Sequence, residues 1–251
     1  MTRVDKTLTS RFELKYWLHP SLVPQLRNAI APFTNLDAFA ARLPNNRYTI
    51  TSLYLDSPAL DLHRATIEGH RNRFKLRVRY YDDKPSDPVF FEIKKRAEGV
   101  ILKRRARATR EAALAYLRGD ASAVHGVSSD LEEFLQTASS MRAGPAVRVR
   151  YDREAYESST GDPVRITMDT SLMYASSNHQ QLSAHGPGWT PCPSKGVVLE
   201  IKFTDTCPYW VMDTVKALRL ERTSVAKYVL CIDDAVQRGG NTFKLGRTLE
   251  A

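Results

Sequence analysis

The sequence lacks an apolar run long enough to span a bilayer, and its N-terminal residues lack the apolar core of a secretory signal. It has three cysteines, Cys192, Cys207 and Cys231, and an odd count without a Cys-x-x-Cys pair argues against a disulfide framework. Its six histidines are scattered, and neither a His-Asp dyad nor a Ser-His-Asp set is evident. These absences predict a soluble cytoplasmic protein with reduced thiols, unless a partner recruits it to a membrane.

The composition supports a folded core and a basic surface. The 251 residues are 42% hydrophobic, carry a net charge of +9 and have a pI near 9.5. Such a charge indicates an anionic partner, which charge alone leaves open among nucleic acid, a membrane surface and a phosphorylated small molecule. No break in composition suggests a linker, so we expect a single domain over residues 1–251.

The most informative pattern is a tripeptide, Glu-x-Lys, that occurs three times among apolar residues. The copies are Glu13-Leu14-Lys15, Glu92-Ile93-Lys94 and Glu200-Ile201-Lys202. Arg73–Arg79 and Val147–Arg150 alternate in the same way with arginine. Because strand side chains alternate between two faces, each run predicts a strand with one charged face and one apolar face. Charged faces so rich in arginine and lysine indicate a bound anion.

Alternation predicts eight strands, near residues 9–18, 47–56, 73–81, 88–96, 99–108, 145–157, 163–174 and 196–204. Helical spacing predicts six helices, near residues 20–31, 58–68, 109–118, 129–138, 208–220 and 223–237. The stretch 176–193, rich in Ser, Gly, Pro and His, is predicted to be a long mobile insertion. We therefore expect an α+β fold: a closed eight-stranded antiparallel β-barrel, or tunnel, with a charged lumen and helices packed outside. Unpaired charges inside are costly, so the lumen must be wet and hold anions.

Several segments, in this order, resemble one known family. They are Arg11–Trp17, Ser52–Ser57, Phe74–Tyr80, Phe91–Lys94, Tyr151–Tyr156, Arg165–Asp169 and Leu199–Phe203. Together they resemble the VTC domain, the polyphosphate polymerase module of the vacuolar transporter chaperone, in a stand-alone bacterial form. That group belongs to the triphosphate tunnel metalloenzymes, or CYTH-like superfamily. The resemblance covers about Arg11 to Asp234.

The resemblance implies an enzyme that transfers the γ-phosphoryl group of ATP to a growing polyphosphate chain inside a cationic tunnel. It implies a divalent metal, Mn²⁺ or Mg²⁺, as cofactor and ATP, triphosphate and polyphosphate as ligands. A membrane protein is a conceivable partner, and nucleic acid is not expected because Phe12, Phe74 and Phe91 alternate away from the charges. The oligomeric state is left open.

By motif, the resemblance implies roles for individual residues. The residues predicted to be catalytic are Arg77, Arg79, Lys94, Arg153 and Lys227. The residues predicted to bind substrate are Lys15, Lys75, Tyr151, Arg165, Lys202 and Lys103. Glu200 and Glu13 are the predicted metal ligands, since a hard divalent ion needs only one or two carboxylates besides phosphate oxygens and water. No general base is expected, because the attacking phosphate oxygen is already ionised.

Some alternatives remain open at this point. Lys15, Lys94 and Lys202 could instead form ion pairs with the glutamates of their own tripeptides. Arg148 and Arg150 alternate on the face opposite Tyr151 and Arg153, and a β-bulge near 150–152 could bring Arg150 and Arg153 to one side. The motif favours Arg153, and Arg150 is the second choice.

Two features depart from the family pattern. Arg11 replaces an acid that is frequent in the superfamily, which favours a polymer-holding tunnel over a triphosphatase, and Ser224 replaces a second lysine near Lys227. A triphosphatase on the same fold and a non-catalytic polyphosphate- or nucleotide-binding module remain the alternative functions.

Overall fold

The computed structural model describes residues 11–97, 100–124, 128–159, 161, 163–176 and 181–239. The described residues form ten strands: β1 Arg11–Leu18, β2 Thr34–Leu36, β3 Tyr48–Asp56, β4 Arg73–Tyr80, β5 Val89–Ala97, β6 Val100–Ala108, β7 Gly144–Ser158, β8 Val164–Ser176, β9 Thr190–Pro191 and β10 Val197–Thr204. They also form six α-helices: α1 Val23–Ile30, α2 Asp61–Ile67, α3 Arg110–Leu117, α4 Ser129–Ser140, α5 Tyr209–Ala217 and α6 Lys227–Gly239. The eight predicted strands and six predicted helices are confirmed in type and approximate position, although residues 9–10 lie outside the described ranges. The very short β2 and β9 were not predicted.

The strands form an antiparallel sheet, so the α+β class is confirmed, but the prediction of a closed barrel is wrong. The strand order is β1-β10-β8-β7-β3-β4-β5-β6, with β2 on β7 and β9 on β8, and no pairing of β1 with β6 exists among the described residues. The outer edge of β1 is engaged otherwise: Tyr16 bridges Arg222, and Thr223 N donates to Lys15 O (2.8 Å). On β6, basic side chains mark an edge that discourages further pairing. Alternation fixes the two faces of a strand and leaves closure undetermined.

The described residues group into two compact units. Of the described residues, those within 1–48, 152–170 and 194–225 form the first unit, and those within 49–151, 171–193 and 226–251 form the second. We describe each unit by itself and refer to them as unit 1 and unit 2. The expectation of a single domain over residues 1–251 stays a prediction.

In unit 1, the apolar faces of β1 and β10 pack against α1 and α5. Leu199 and Ile201 are buried together with Leu26 and Ile30 of α1 and Val211 of α5. This confirms the predicted helical cover of that apolar face. Phe12, on the same face of β1, is less well covered: its ring stacks on Phe203 (5.4 Å between centroids) and is 46% exposed.

In unit 2, the apolar face of β4 and β5 packs against α3 and α4. Leu76, Val78, Phe91 and Ile93 are buried in a cluster that includes Phe134 of α4. The helices begin where side chains cap them: Thr109 accepts from Ala112 N (3.1 Å), and Ser128 accepts from Leu131 N (3.3 Å). This face is therefore fixed, and the opposite face of the same strands carries the charges.

The stretch 176–193 is more firmly packed than predicted. Leu182 and Ala184 are buried in the core of unit 2, and the Asp83 carboxylate accepts from Ala184 N (2.5 Å) and His185 N (2.9 Å). Residues 177–180 of this stretch lie outside the described ranges. The sequence pattern missed the two buried positions because they are isolated among polar residues.

Candidate functional site

Cationic side chains cover one face of β4, β5 and β6 in unit 2. Directly opposite residues on neighbouring antiparallel strands share a face, so the register identifies rows of neighbours. The rows are Arg73–Arg96, Lys75–Lys94–Lys103, Arg77–Glu92–Arg105 and Arg79–Phe90–Arg107. Among these positions one residue, Glu92, is acidic. We call this set of residues the cationic face.

Glu92 lies at the centre of the cationic face and has no exposed surface. Its Oε2 is 2.6 Å from Arg77 Nη2 and 3.8 Å from Arg79 Nε. Its Oε1 is 2.7 Å from Lys103 Nζ and 3.3 Å from Arg105 Nε. Four cations from two strands thus surround one buried carboxylate on the strand between them, which leaves the cluster with excess positive charge.

The surroundings shift the pKa values of this cluster in opposite directions. Burial alone would raise the pKa of Glu92, but the charges of Arg77, Arg79 and Lys103 hold it well below its ordinary value. For Arg77, burial opposes the shift, yet Tyr54 and Glu92 raise its pKa. Burial lowers the pKa of Lys103 against the pull of Glu92. The acid of the cluster is therefore ionised at neutral pH.

Aromatic side chains hold two of these arginines. Arg77 Nη1 donates to the Tyr54 hydroxyl (3.3 Å), and the Arg105 guanidinium lies 3.7 Å from the centre of the Phe90 ring. Stacking leaves the edge of a guanidinium available for hydrogen bonds, which suits contact with phosphate oxygens. Phe90 therefore faces the charges, as Tyr54 does, whereas Phe74 and Phe91 face away as predicted.

Another cation of unit 2 lies at the start of α6. Lys227 Nζ is 4.6 Å from the centre of the Tyr151 ring, a cation–π contact between two residues to which the resemblance separately assigns site roles. The next residue, Tyr228, is buried, donates to Asp56 Oδ2 (2.5 Å) and stacks on Tyr54 (4.8 Å between centroids). This hydrogen bond and ring contact fix the first turn of α6 and therefore the position from which Lys227 extends.

The predicted metal ligands lie in unit 1, within a set of alternating charges. Lys15 Nζ is 3.1 Å from Glu13 Oε1 and 3.7 Å from Glu200 Oε2, and it also donates to Val225 O (3.2 Å). Lys202 Nζ contacts Glu200 Oε1 and is 4.0 Å from Glu13 Oε2. We call these four residues the balanced cluster, because two carboxylates match two lysines. The ion pairs considered from the sequence for Lys15 and Lys202 are confirmed.

The two carboxylates alone would supply only part of the coordination shell of a divalent ion. Glu13 and Glu200 approach one ammonium group, so their oxygens lie close together, and carboxylate oxygens are ligands that Mg²⁺ and Mn²⁺ prefer. Within the part of the chain that the structure describes, no group of three or more His, Cys, Asp or Glu side chains could hold a metal ion. The donor set therefore fits an ion that completes its coordination with phosphate oxygens and water.

Two further predicted cations of unit 1 are engaged by acids. Arg153 donates through Nε and Nη2 to Asp169 (2.6 and 2.8 Å). Arg165 donates to Asp37 Oδ2 (2.8 Å) and pairs with Glu157. In unit 2, the alternative candidate Arg150 donates to Ala184 O (2.7 Å) and lies over the Trp189 ring.

The structure thus brings the predicted residues together in sets. Arg77, Arg79 and Lys103 meet at Glu92, with Lys75 and Lys94 in the adjacent row, and Lys227 meets Tyr151. The balanced cluster unites Glu13, Lys15, Glu200 and Lys202. The roles assigned to these residues stay predictions. Sequence reasoning missed Glu92 and Arg105 as site residues, although Glu92 belongs to a Glu-x-Lys copy and Arg105 alternates with Lys103.

The comparison with protein families gives the class of this chain. Residues 10–235 match the model of the VTC domain, and the chain belongs to that family. Over 184 residues it is 26% identical to vacuolar transporter chaperone complex subunit 4 of Schizosaccharomyces pombe. That alignment covers 63% of this chain and 25% of the relative, so the chain spans about a quarter of that protein's length.

Solved structures offer weaker similarities. A putative adenylate cyclase from Bacillus halodurans is 12% identical, with 91% of this chain and 96% of that chain covered and a TM-score of 0.49. A putative adenylyl cyclase from Hippeastrum, described as having a dominant triphosphatase activity, is 17% identical, with 91% and 95% covered and a TM-score of 0.49. At these scores we base no conclusion on either structure. Among the described helices, none has both the length and the apolar character needed to cross a membrane.

Proposed function

We propose that this protein is a metal-dependent polyphosphate polymerase that transfers the γ-phosphoryl group of ATP to a growing polyphosphate chain. The observation that carries the proposal is the cationic face, where Arg77, Arg79, Lys103 and Arg105 surround one acid. Like charges directly opposite on neighbouring strands destabilise a sheet, so such a face is best explained by a polyanionic ligand. Membership of the VTC domain family and the resemblance of its motifs support polyphosphate as that ligand.

In this proposal the cations bind and orient phosphates. Arginines make paired hydrogen bonds to phosphate oxygens, and lysines act as point charges, so a repeating polyanion can be held without recognition of a particular base or sugar. Phosphoryl transfer needs in-line placement and neutralisation of the charge on the transferring group rather than a general base. Arg77 and Arg79, whose guanidinium groups converge on Glu92, are the groups we expect to contact the reacting phosphates.

Glu200 and Glu13 are the residues that would hold the divalent ion. When bound, such an ion would neutralise phosphate oxygens and orient them for transfer. Lys15 contacts both carboxylates, and Lys202 contacts Glu200 as well, so the two lysines hold the carboxylates close together. The membrane-protein partner and the cytoplasmic location expected from the sequence stay predictions.

The test is incubation of the purified chain with ATP and either Mn²⁺ or Mg²⁺, followed by gel electrophoresis for polyphosphate. We expect a ladder of polymer that depends on the metal and disappears with a chelator. Release of inorganic phosphate without polymer would assign a triphosphatase instead. Binding of tripolyphosphate without turnover under any metal would reduce the protein to a binding module.

A further inference from the structure

We propose that Glu92 is a built-in counter-anion: a positioning residue that holds the phosphate-binding cations in place until a phosphate chain replaces much of its neutralising effect. The proposal deepens the proposed function and depends on it, because it assumes that the cationic face binds polyphosphate. It assigns no chemical step to Glu92. It assigns to this carboxylate the assembly of the ligand-free site.

The first argument is placement. Glu92 is at the middle strand of three, and each of its oxygens approaches cations from one neighbouring strand: Oε2 those of β4, and Oε1 those of β6. A carboxylate offers about four acceptor positions in two pairs. A phosphate group presents charged oxygens in the same way, so Glu92 can order guanidinium and ammonium groups as a phosphate would.

The second argument is charge. Four cations around one ionised acid leave an excess of three positive charges, and the register adds no other acid to these rows. A buried charge without a partner is strongly destabilising, whereas a paired one is tolerated. Glu92 therefore lowers the repulsion within the empty site without cancelling the attraction for a polyanion.

The third argument is the contrast with Glu154, another buried glutamate. Glu154 accepts from Arg27 Nε and Nη2 (both 2.7 Å), from Arg47 Nε (3.3 Å) and from the Tyr156 hydroxyl (2.5 Å). It lies in unit 1, and none of its partners is a predicted site residue. Glu154 therefore provides a matched control for burial and ion pairing without a role in phosphate binding.

The experiment compares Glu92→Gln with Glu154→Gln in the 251-residue chain. Thermal unfolding is measured in metal-free buffer with a chelator, with and without sodium tripolyphosphate. A ligand that binds the folded state stabilises it by mass action, so the gain in Tm reports affinity. Without ligand, we expect both variants to have a lower Tm than the wild type. With tripolyphosphate, we expect the Tm of Glu92→Gln, but not that of Glu154→Gln, to return towards the wild-type value. The gain for Glu92→Gln should be at least twice the gain for the wild type, and that for Glu154→Gln should equal the wild-type gain.

Direct binding and turnover give a second readout. Glu92→Gln removes one negative charge from the cluster, so the remaining cations attract a polyanion more strongly. We therefore expect this variant to bind tripolyphosphate roughly tenfold more tightly than the wild type. We expect kcat to fall by a similar factor, because the arginines are no longer ordered before substrate arrives. If Glu92 had only a structural role, its loss would lower stability, but tripolyphosphate binding would not become tighter while kcat fell.

The outcomes separate cleanly. If Glu92→Gln gains no more from tripolyphosphate than the wild type does, the counter-anion role is wrong. If the wild type itself gains nothing, the proposed function fails first. Should Glu92→Gln not fold in either buffer, the double variant Glu92→Gln/Lys103→Gln removes one charge of each sign. The excess of three positive charges is then the same as in the wild type, so we expect this variant to fold with a lower Tm and to gain more from tripolyphosphate than the wild type does. A double variant that fails to fold, or that gains no more than the wild type, would overturn the proposal.

Discussion

Two charged surfaces of this molecule use the same residue types in opposite ways. On β1 and β10 of unit 1, acids and bases alternate across the strands: Glu13 lies opposite Lys202, and Lys15 lies opposite Glu200. On β4, β5 and β6 of unit 2, bases lie opposite bases, as in the row Lys75–Lys94–Lys103. Cross-strand pairs of opposite charge stabilise a sheet and like pairs destabilise it. The charges of the first surface therefore neutralise one another, whereas the second surface has an excess of positive charge that an anion would neutralise.

Under the proposed function, we expect this difference to give the two units separate tasks. Carboxylates held between lysines can hold a metal ion without attracting a polyanion by themselves. Cations in excess can hold a polyanion without a metal. If the comparison is correct, removal of an acid in the balanced cluster and of a base in the cationic face will affect different measurements.

The largest effect is expected from Arg79→Ala. Arg79 is 8% exposed and lies 3.8 Å from Glu92, so its loss removes a desolvated cation that we expect at the reacting phosphates. Tripolyphosphate affinity and polyphosphate synthesis should both fall, synthesis by on the order of a hundredfold. The control is Arg27→Ala, which removes an arginine from buried Glu154 in unit 1 and should cost stability with little change in affinity. Equal losses of affinity in both variants would erase the distinction between the surfaces.

Glu200→Gln should separate turnover from binding. It removes a carboxylate of the balanced cluster, so metal-dependent synthesis should fall by on the order of a hundredfold. Tripolyphosphate binding without metal should be unchanged or slightly tighter, since a negative charge is lost. Metal titrations of activity and calorimetric binding in chelator would measure the two quantities separately. A variant that loses metal-free binding as well would contradict the assignment of Glu200 to the metal.

Much of this division was readable from the sequence, because alternation with a period of two fixes which residues share a face. That reasoning placed Arg77 and Arg79 together, and it placed Glu13 with Lys15. It did not show which strands are neighbours, and the sheet register depends on long-range pairing that a local pattern does not encode. Hence the tripeptide suggests Lys94 as the partner of Glu92, but it does not reveal that Arg77 of β4 and Lys103 of β6 also contact this carboxylate. The same limit explains the wrong prediction of a closed barrel, since the outer edge of β1 pairs with residues 222–223.

A smaller effect should distinguish two predicted substrate-binding lysines. Lys103→Gln removes a cation from the face with excess charge, and we expect tripolyphosphate to bind roughly fivefold more weakly, with a shallower salt dependence. Lys202→Gln removes a lysine that Glu200 and Glu13 already neutralise, so its effect should be smaller. Binding measured at several salt concentrations checks both. If Lys202→Gln weakens binding as much as Lys103→Gln does, Lys202 contacts the phosphate chain directly, and the balanced cluster is not separate from the anion site in function.

The smallest effect concerns acid stability. The pKa values of Glu92 and Glu154 are both lowered in the folded protein, in each case because paired cations outweigh the raising effect of burial. Each group therefore adds stability above its unfolded pKa, about 4.3, and this contribution is lost as the pH falls towards the folded value. One such carboxyl changes the slope of unfolding free energy by at most about 1.4 kcal/mol per pH unit. The free energy of unfolding, measured with denaturant at several pH values between 6 and 3, should depend less steeply on pH for Glu92→Gln and for Glu154→Gln than for the wild type. Added tripolyphosphate should alter the slope of the wild type but leave the difference due to Glu154→Gln unchanged, because Glu154 pairs with Arg27 and Arg47, neither of which is a predicted site residue.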